Sequence, residues 1–133
     1  MRVVLDTDIL ISAFVFPGGT HESAYRLALE ERLQLITSPT LLAEFGRVLT
    51  KKLGWSASRA REAVAQVARV GLVVQPSERV RVVTADPTDD RVLEAAAEGA
   101  ADAIVSGDKH LRRLRSWRGI RIVTASSFVA KFG

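Results

Sequence analysis

Several acidic residues in this chain stand where an apolar run breaks off: Asp6 and Asp8 in MRVVLDTDILIS, Glu44 in SPTLLAEFGRVL, Asp89 and Asp90 in DPTDDRVLEAAAEG, and Asp108 in AIVSGDKHL. One aspartate at the end of a strand is ordinarily a turn residue or a helix cap. Several that converge from separate elements are different, because clustered carboxylates repel and must either keep a proton or bind a cation. The chain has no cysteine, and its histidines, His21 and His110, stand singly and read as surface or capping residues. The available ligands are therefore oxygens, which suit Mg²⁺, or Mn²⁺ in its place, better than zinc. Such an ion holds phosphate oxygens and lowers the pKa of a bound water, so a phosphodiester bond is cleaved with no Ser, His or Cys nucleophile.

The elements that must position these acids alternate along the chain. RVVLD (2–6) reads as a strand, followed by the apolar run 8–16 that closes at Pro-Gly-Gly. A helix is expected over 21–31 with Thr20 as its cap, then a strand over 33–37. Ser38 as cap, Pro39 at the first helical position and Gly54 past the end frame the next helix, and 56–71 repeats the helical pattern. The remainder predicts a helix over 90–99, a buried strand over 103–107, a short basic helix from Lys109, a strand over 120–124 and a terminal helix over 126–132. Strands alternating with helices imply an α/β domain with a largely parallel sheet covered on both faces. Ligands in such a sheet bind beyond the carboxyl ends of the strands, where Asp6, Glu44, Asp89 or Asp90, and Asp108 all fall. On a helical projection Val92, Leu93 and Ala96 lie within a few tens of degrees of Asp89, so Asp89 faces the sheet and is the expected ligand. Asp90 lies about 100° round, facing solvent or supporting the site from behind.

With 133 residues and 47% hydrophobic content, the chain is read as one domain over 1–133. No membrane-length apolar stretch and no signal-peptide pattern occurs, so a cytoplasmic protein is expected. The net charge is +4 and the sequence pI about 10.1, which favours a polyanionic partner. The excess is concentrated between Asp108 and Arg121, where Lys109, Arg112, Arg113 and Arg115 are candidates for holding nucleic-acid phosphates. Trp55 and Trp117 are read as packing residues rather than stacking platforms for bases.

VVLDTDILISA, SPTLLAEFGRVL and DPTDDRVLEAAAEGAADAIVSGDKHL, in this order and at this spacing, resemble the blocks of the PIN-domain family, within it the VapC-like toxins of toxin–antitoxin systems. The likeness runs from about position 3 to 128. It implies a PIN-like three-layer α/β/α fold with about four to five strands and a Mg²⁺-dependent endoribonuclease. It further implies Asp6, Glu44, Asp89 and Asp108 around one or two ions, a cognate antitoxin and a homodimer. Thr7 and Ser106 match hydroxyls that support the ligands. Asp8 stands where the family usually has Asn, a departure from its pattern, and Asp102 matches a recurrent acid that here precedes the buried strand and is read as a cap or ion-pair residue.

Two other readings compete. LDTD also resembles the Asp-x-Asp of haloacid-dehalogenase-like phosphatases, with Asp6 as nucleophile and Asp8 as acid/base. That family wants a further acid after its later Gly-Asp, where this chain has Arg112, and it leaves Glu44 unexplained. The other reading is a PIN-like module that only binds RNA or protein.

Overall fold

The structure, a computed structural model, describes residues 1–133. In chain order the elements are β1 (Arg2–Leu5), α1 (Thr7–Val15), α2 (Thr20–Leu29), β2 (Gln34–Thr37), α3 (Pro39–Lys51), α4 (Ala57–Val70) and β3 (Leu72–Val73). They continue with α5 (Pro87–Glu98), β4 (Ala103–Val105), α6 (Lys109–Leu114), β5 (Ser116–Trp117), β6 (Ile120–Val123) and α7 (Ala125–Phe132). The sheet order is β3-β2-β1-β4-β6-β5. Every pairing is parallel except the β5–β6 hairpin. The chain winds outward from β1 to β3 on one side and then restarts at β4 on the other. The boundary between β1 and β4 is the point where an open α/β sheet leaves a crevice at its carboxyl edge.

Side chains alternate across a strand, so a sheet buried on both faces feeds two cores. Val3, Leu5, Leu35 and Val105 join one cluster, with Leu42, Phe45 and Leu49 of α3 and Phe128 of α7. Val4, Ile36 and Ile104 point the other way, to Val92, Leu93, Ala95 and Ala96 of α5 and Leu111 of α6. Three layers result, as the sequence predicts. α5 lies so close to β2 that a Cβ on Gly99 would sit 2.5 Å from Ile36 Cγ2.

Six strands stand where four to five are expected, because β3 and β5 are two residues each and too short to carry a period. Thr20 is not a cap: Gly19 occupies that position and Thr20 begins α2. α5 begins at Pro87 rather than 90, since Asp86 caps it through Thr88 N–H and the proline ring supplies a helical φ at the first position. The strand expected over 103–107 ends at Val105 and the one over 120–124 at Val123. Trp55 packs on the first core and Trp117 on the second.

Candidate metal centre

β1 ends at the central crevice. The Asp6 backbone N–H is still donated to Val105 of β4 at 2.9 Å, while its side chain caps α1, with Oδ1 accepting from Thr7 N–H at 2.7 Å. Oδ2 accepts from the Ser106 hydroxyl at 2.6 Å, and Ser106 Oγ in turn accepts from Asp108 N–H at 2.9 Å. The carboxyl ends of the two central strands are thus joined through one hydroxyl. Both Asp6 oxygens are engaged, which suits a fixed ligand better than the free nucleophile of the phosphatase reading.

Asp108 caps α6, accepting from His110 N–H at 2.8 Å and Leu111 N–H at 3.1 Å. Asp89 arrives from the first turn of α5 and is 5% exposed. Asp86, Asp89 and Asp108 each present a carboxylate oxygen within 4.8 Å of the others'. Together with Asp6, Asp8 and Glu44 they line one groove of about 350 Å³, with Lys52 on its wall. Asp8 is exposed and reaches the Gly107 backbone so closely that a Cβ there would sit 2.9 Å from its Oδ2.

Burial and like charge dominate the titration of this groove. Burial, then Asp8, push the Asp6 carboxyl up to about 7, against the opposing hydrogen bonds from Ser106 and Thr7. Burial, followed by the hydrogen bond and charge of Asp108, lifts Asp89 to about 8. Burial also raises Asp108, but the Leu111 N–H, the hydrogen bond with Asp89 and the His110 N–H outweigh it and hold Asp108 below the usual range. Near neutrality the metal-free groove retains protons, chiefly on Asp89.

The groove fits a hard divalent cation. Its donors are all oxygens, and Asp89 Oδ2 and Thr7 Oγ1 are buried without a hydrogen-bond partner. Buried polar atoms seldom lack partners, and both of these belong to groove-lining residues. An ion there would satisfy an oxygen that the protein leaves bare.

Asp6, Thr7, Asp8, Glu44, Asp89 and Asp108 line the groove, and Ser106 stands behind it. Asp90 is neither solvent-facing nor at the groove. It is 4% exposed, and its Oδ1 accepts from Val82 and Val83 N–H at 3.1 and 2.8 Å. It holds the segment leading to α5, which has no periodicity from which such a contact could be read. Asp86 was missed, although Asp followed by Pro is a helix-start signal and places a carboxylate beside the first turn. Asp102 lies at the opposite edge of the sheet, accepting from Arg2 N–H at 2.7 Å. Lys109, Arg112, Arg113 and Arg115 line a neighbouring cleft.

Residues 2–110 match the model of the PIN domain family. The chain is 32% identical over 120 residues to an uncharacterized protein, MJ1680, of Methanocaldococcus jannaschii, covering 86% of this chain and 76% of that protein. Among solved structures it is similar to VapBC2 of Rickettsia felis, solved bound to a DNA fragment from its promoter, with TM-score 0.66 at 14% identity over 92% of this chain and 97% of that one. VapBC-1 of nontypeable Haemophilus influenzae gives TM-score 0.65 at 14% identity over 95% and 99%.

Proposed function

This chain belongs to the PIN-domain family, and from that premise we propose that it is a divalent-metal-dependent endoribonuclease, the toxin of a toxin–antitoxin pair. The observation that carries the reading is the groove in which Asp86, Asp89 and Asp108 meet beside Asp6, with Asp89 Oδ2 buried and unpartnered. Asp6, Asp89 and Asp108 would hold the cation, with Glu44 and Asp86 closing the shell. Bound there, Mg²⁺ or Mn²⁺ supplies charge neutralisation for a phosphodiester and an acidified water.

The chain's own residues set the geometry. Ser106 and Thr7 N–H fix the Asp6 carboxylate, and the start of α6 fixes that of Asp108, so both are oriented before any ligand arrives. The start of α5 favours negative charge on Asp89. Lys52, on the groove wall, offers a charge to a substrate phosphate. The fold likeness to chains solved as VapBC complexes supports an antitoxin partner, and the family resemblance supports a homodimer working in the cytoplasm. No helix is long and apolar enough to cross a membrane.

The test is cleavage of single-stranded RNA by the purified protein with Mg²⁺, Mn²⁺ or EDTA. Wild type cleaves with either metal, and EDTA and Asp89→Asn abolish cleavage. RNA degradation that survives both EDTA and Asp89→Asn would assign the activity to a contaminant or another site. Binding without cleavage under every condition would favour the non-catalytic module.

A further inference from the structure

The acidic groove has a second wall, built by α1 and α3. These helices pack through Phe14 and Phe45, whose ring centroids lie 5.4 Å apart. Three residues from those rings, Ile11 and Val48 line the groove as its only apolar side chains. On α1 the lining residues are Asp8, Ile11 and Ser12, and on α3 they are Glu44, Val48 and Lys52. Residues three and four apart share a helix face, so on each helix an acid is followed one turn on by an apolar side chain. That turn carries Ser12 and Val48 roughly 6 Å from Asp8 and Glu44 along their helices, within the span of one nucleotide.

Ser12 is the side chain that points to a ligand. A hydroxyl inside a helix commonly bonds back to the carbonyl four residues earlier, as Ser23 does to Gly19 O and Thr50 to Gly46 O. Ser12 is half-buried, lines the groove and gives its hydroxyl to no group of the protein. Alanine is the better helix former, so the hydroxyl adds nothing to α1. Of the other hydroxyls lining the groove, Thr88 donates to Asp86 at 2.6 Å, and Thr7 is 5% exposed, too buried to meet a sugar.

The ligand chemistry follows from these side chains. Two branched aliphatic groups offer enough apolar surface for one flat ring and too little for an apolar helix. A hydroxyl both donates and accepts, as the ribose 2′-OH does, and the 2′-OH is what lets a protein tell RNA from DNA. Attack of an acidified water on phosphorus makes no use of that group, so the acids alone treat the two polymers alike. A choice between them falls to a neighbour of the acids, and Ser12 is the open, unpartnered hydroxyl placed there.

We propose that this wall is a ribonucleoside subsite, in which Ile11 and Val48 lie against the base of the nucleotide beside the cleaved bond and Ser12 Oγ hydrogen-bonds to its 2′-OH, making Ser12 the residue that selects RNA over DNA. Its place beside a cleaved bond rests on the nuclease reading; the contact with a ribonucleoside does not.

The experiment compares wild type, Ser12→Ala, Ser12→Thr and Val48→Ala on labelled single strands of about eight nucleotides, one sequence free of uracil and thymine made as RNA and as DNA. Binding is read by anisotropy with Ca²⁺, the strands being checked as intact on a gel. Wild type is expected to bind RNA about three- to tenfold more tightly than DNA, the effect of one hydrogen bond. Ser12→Ala brings RNA down to the affinity of DNA and leaves DNA unchanged, while Ser12→Thr keeps the preference. Val48→Ala weakens both polymers alike, by about threefold. Ser12→Ala should melt no lower than wild type, which separates a lost contact from a lost fold. With Mg²⁺, a DNA strand carrying one ribonucleotide is cut by wild type beside that nucleotide and by Ser12→Ala without such a preference. No RNA preference in wild type, one that survives Ser12→Ala, or an equal loss on both polymers in that variant overturns the proposal, as do unchanged affinities in Val48→Ala. A changed preference among bases with the sugar preference intact would put the hydroxyl at a base edge and overturn it too. So would a cut that stays beside the ribonucleotide in Ser12→Ala, since the 2′-OH would then act in the chemistry. If wild type cleaves neither polymer while the binding results hold, the nuclease reading fails and the subsite stands.

Discussion

At Asp89 one side chain combines burial, a neighbouring carboxylate and an unpartnered oxygen, and its protonation ties stability to metal. The folded chain holds Asp6 at about 7 and Asp89 at about 8, both above the ordinary 3.8. Between about pH 4 and 8 the folded state therefore binds more protons than the unfolded one. This contribution to stability is complete below the ordinary value and is lost as pH rises through 7 and 8. Metal-free protein should accordingly melt lower at pH 8.5 than at pH 5, and Asp89→Asn should flatten that decline while abolishing Mn²⁺ binding in calorimetry. A variant less stable than wild type at pH 8.5 would instead make Asp89 a structural residue. Ser106 acts on the same balance from behind, because its hydroxyl favours the charged form of Asp6. Such a hydrogen bond contributes about 1.5–3 kcal/mol, so Ser106→Ala should weaken Mn²⁺ binding at pH 6.5 by tenfold or more and recover much of it at pH 8.5. A loss equal at both pH values would mean that the hydroxyl only shapes the strand end.

On α5, three acids spaced four apart form a ladder. Glu98 accepts from Ser77 N–H at 2.9 Å, Glu94 from Val80 N–H at 2.9 Å and Asp90 from Val82 and Val83 N–H. The segment 77–83 thus runs antiparallel to the helix and delivers Asp86 to its cap position. Glu94 also pairs with Arg91 at 2.7 Å, their side chains 6% and 16% exposed. Glu94→Ala leaves that arginine and Val80 N–H without their acceptor and should destabilise the protein by about 3–5 kcal/mol. Asp90→Asn keeps an acceptor and costs little, whereas Asp90→Ala should cost about 1–3 kcal/mol. Hydrogen exchange at 77–83 checks both, and protection that persists in Glu94→Ala would show that the ladder does not hold the segment. The helices other than α1 were legible because their signals are local, Ser38 with Pro39 and the 3.6-residue stripes that face the sheet, but α1 was not, since the run 8–16 is apolar almost all round and shows no stripe. β3 and β5 were not, since a two-residue strand is defined by its partner and has no pattern of its own. The ladder was half legible. Its spacing lies in the sequence, but what it grips is an aperiodic segment.

For the whole molecule, the site was readable where topology alone decides it. Parallel strands put Asp6 and Asp108 at one edge, and the stripe of Val92, Leu93 and Ala96 turns Asp89 toward them. Asp86 escaped because its place depends on where α5 starts, and the placement of the basic residues in a cleft of their own depends on how β6 and the start of α7 pack beside α6, which no local pattern shows. The acidic groove proposed to hold a cation exists only in the folded state, so divalent metal should stabilise the molecule as a unit. At a hundred times Kd the gain is about 2.7 kcal/mol, read as a rise in melting temperature with Mn²⁺ at pH 7.5 that Asp6→Asn and Asp89→Asn both remove. An equal rise in those variants would place the stabilising ion elsewhere.

Strand β1 is synthesised first, yet it sits at the middle of the sheet and receives its second neighbour only when β4 appears about a hundred residues later. At ribosomal speeds of about 5–20 residues per second, that interval lasts roughly 5–20 s. During it Asp6 has no Ser106, no Asp108 and no crevice, while the open edge of β1 awaits a partner. The incomplete chain thus lacks the acidic groove altogether, and the groove comes into being as an event in time, when the second half of the sheet closes on the first.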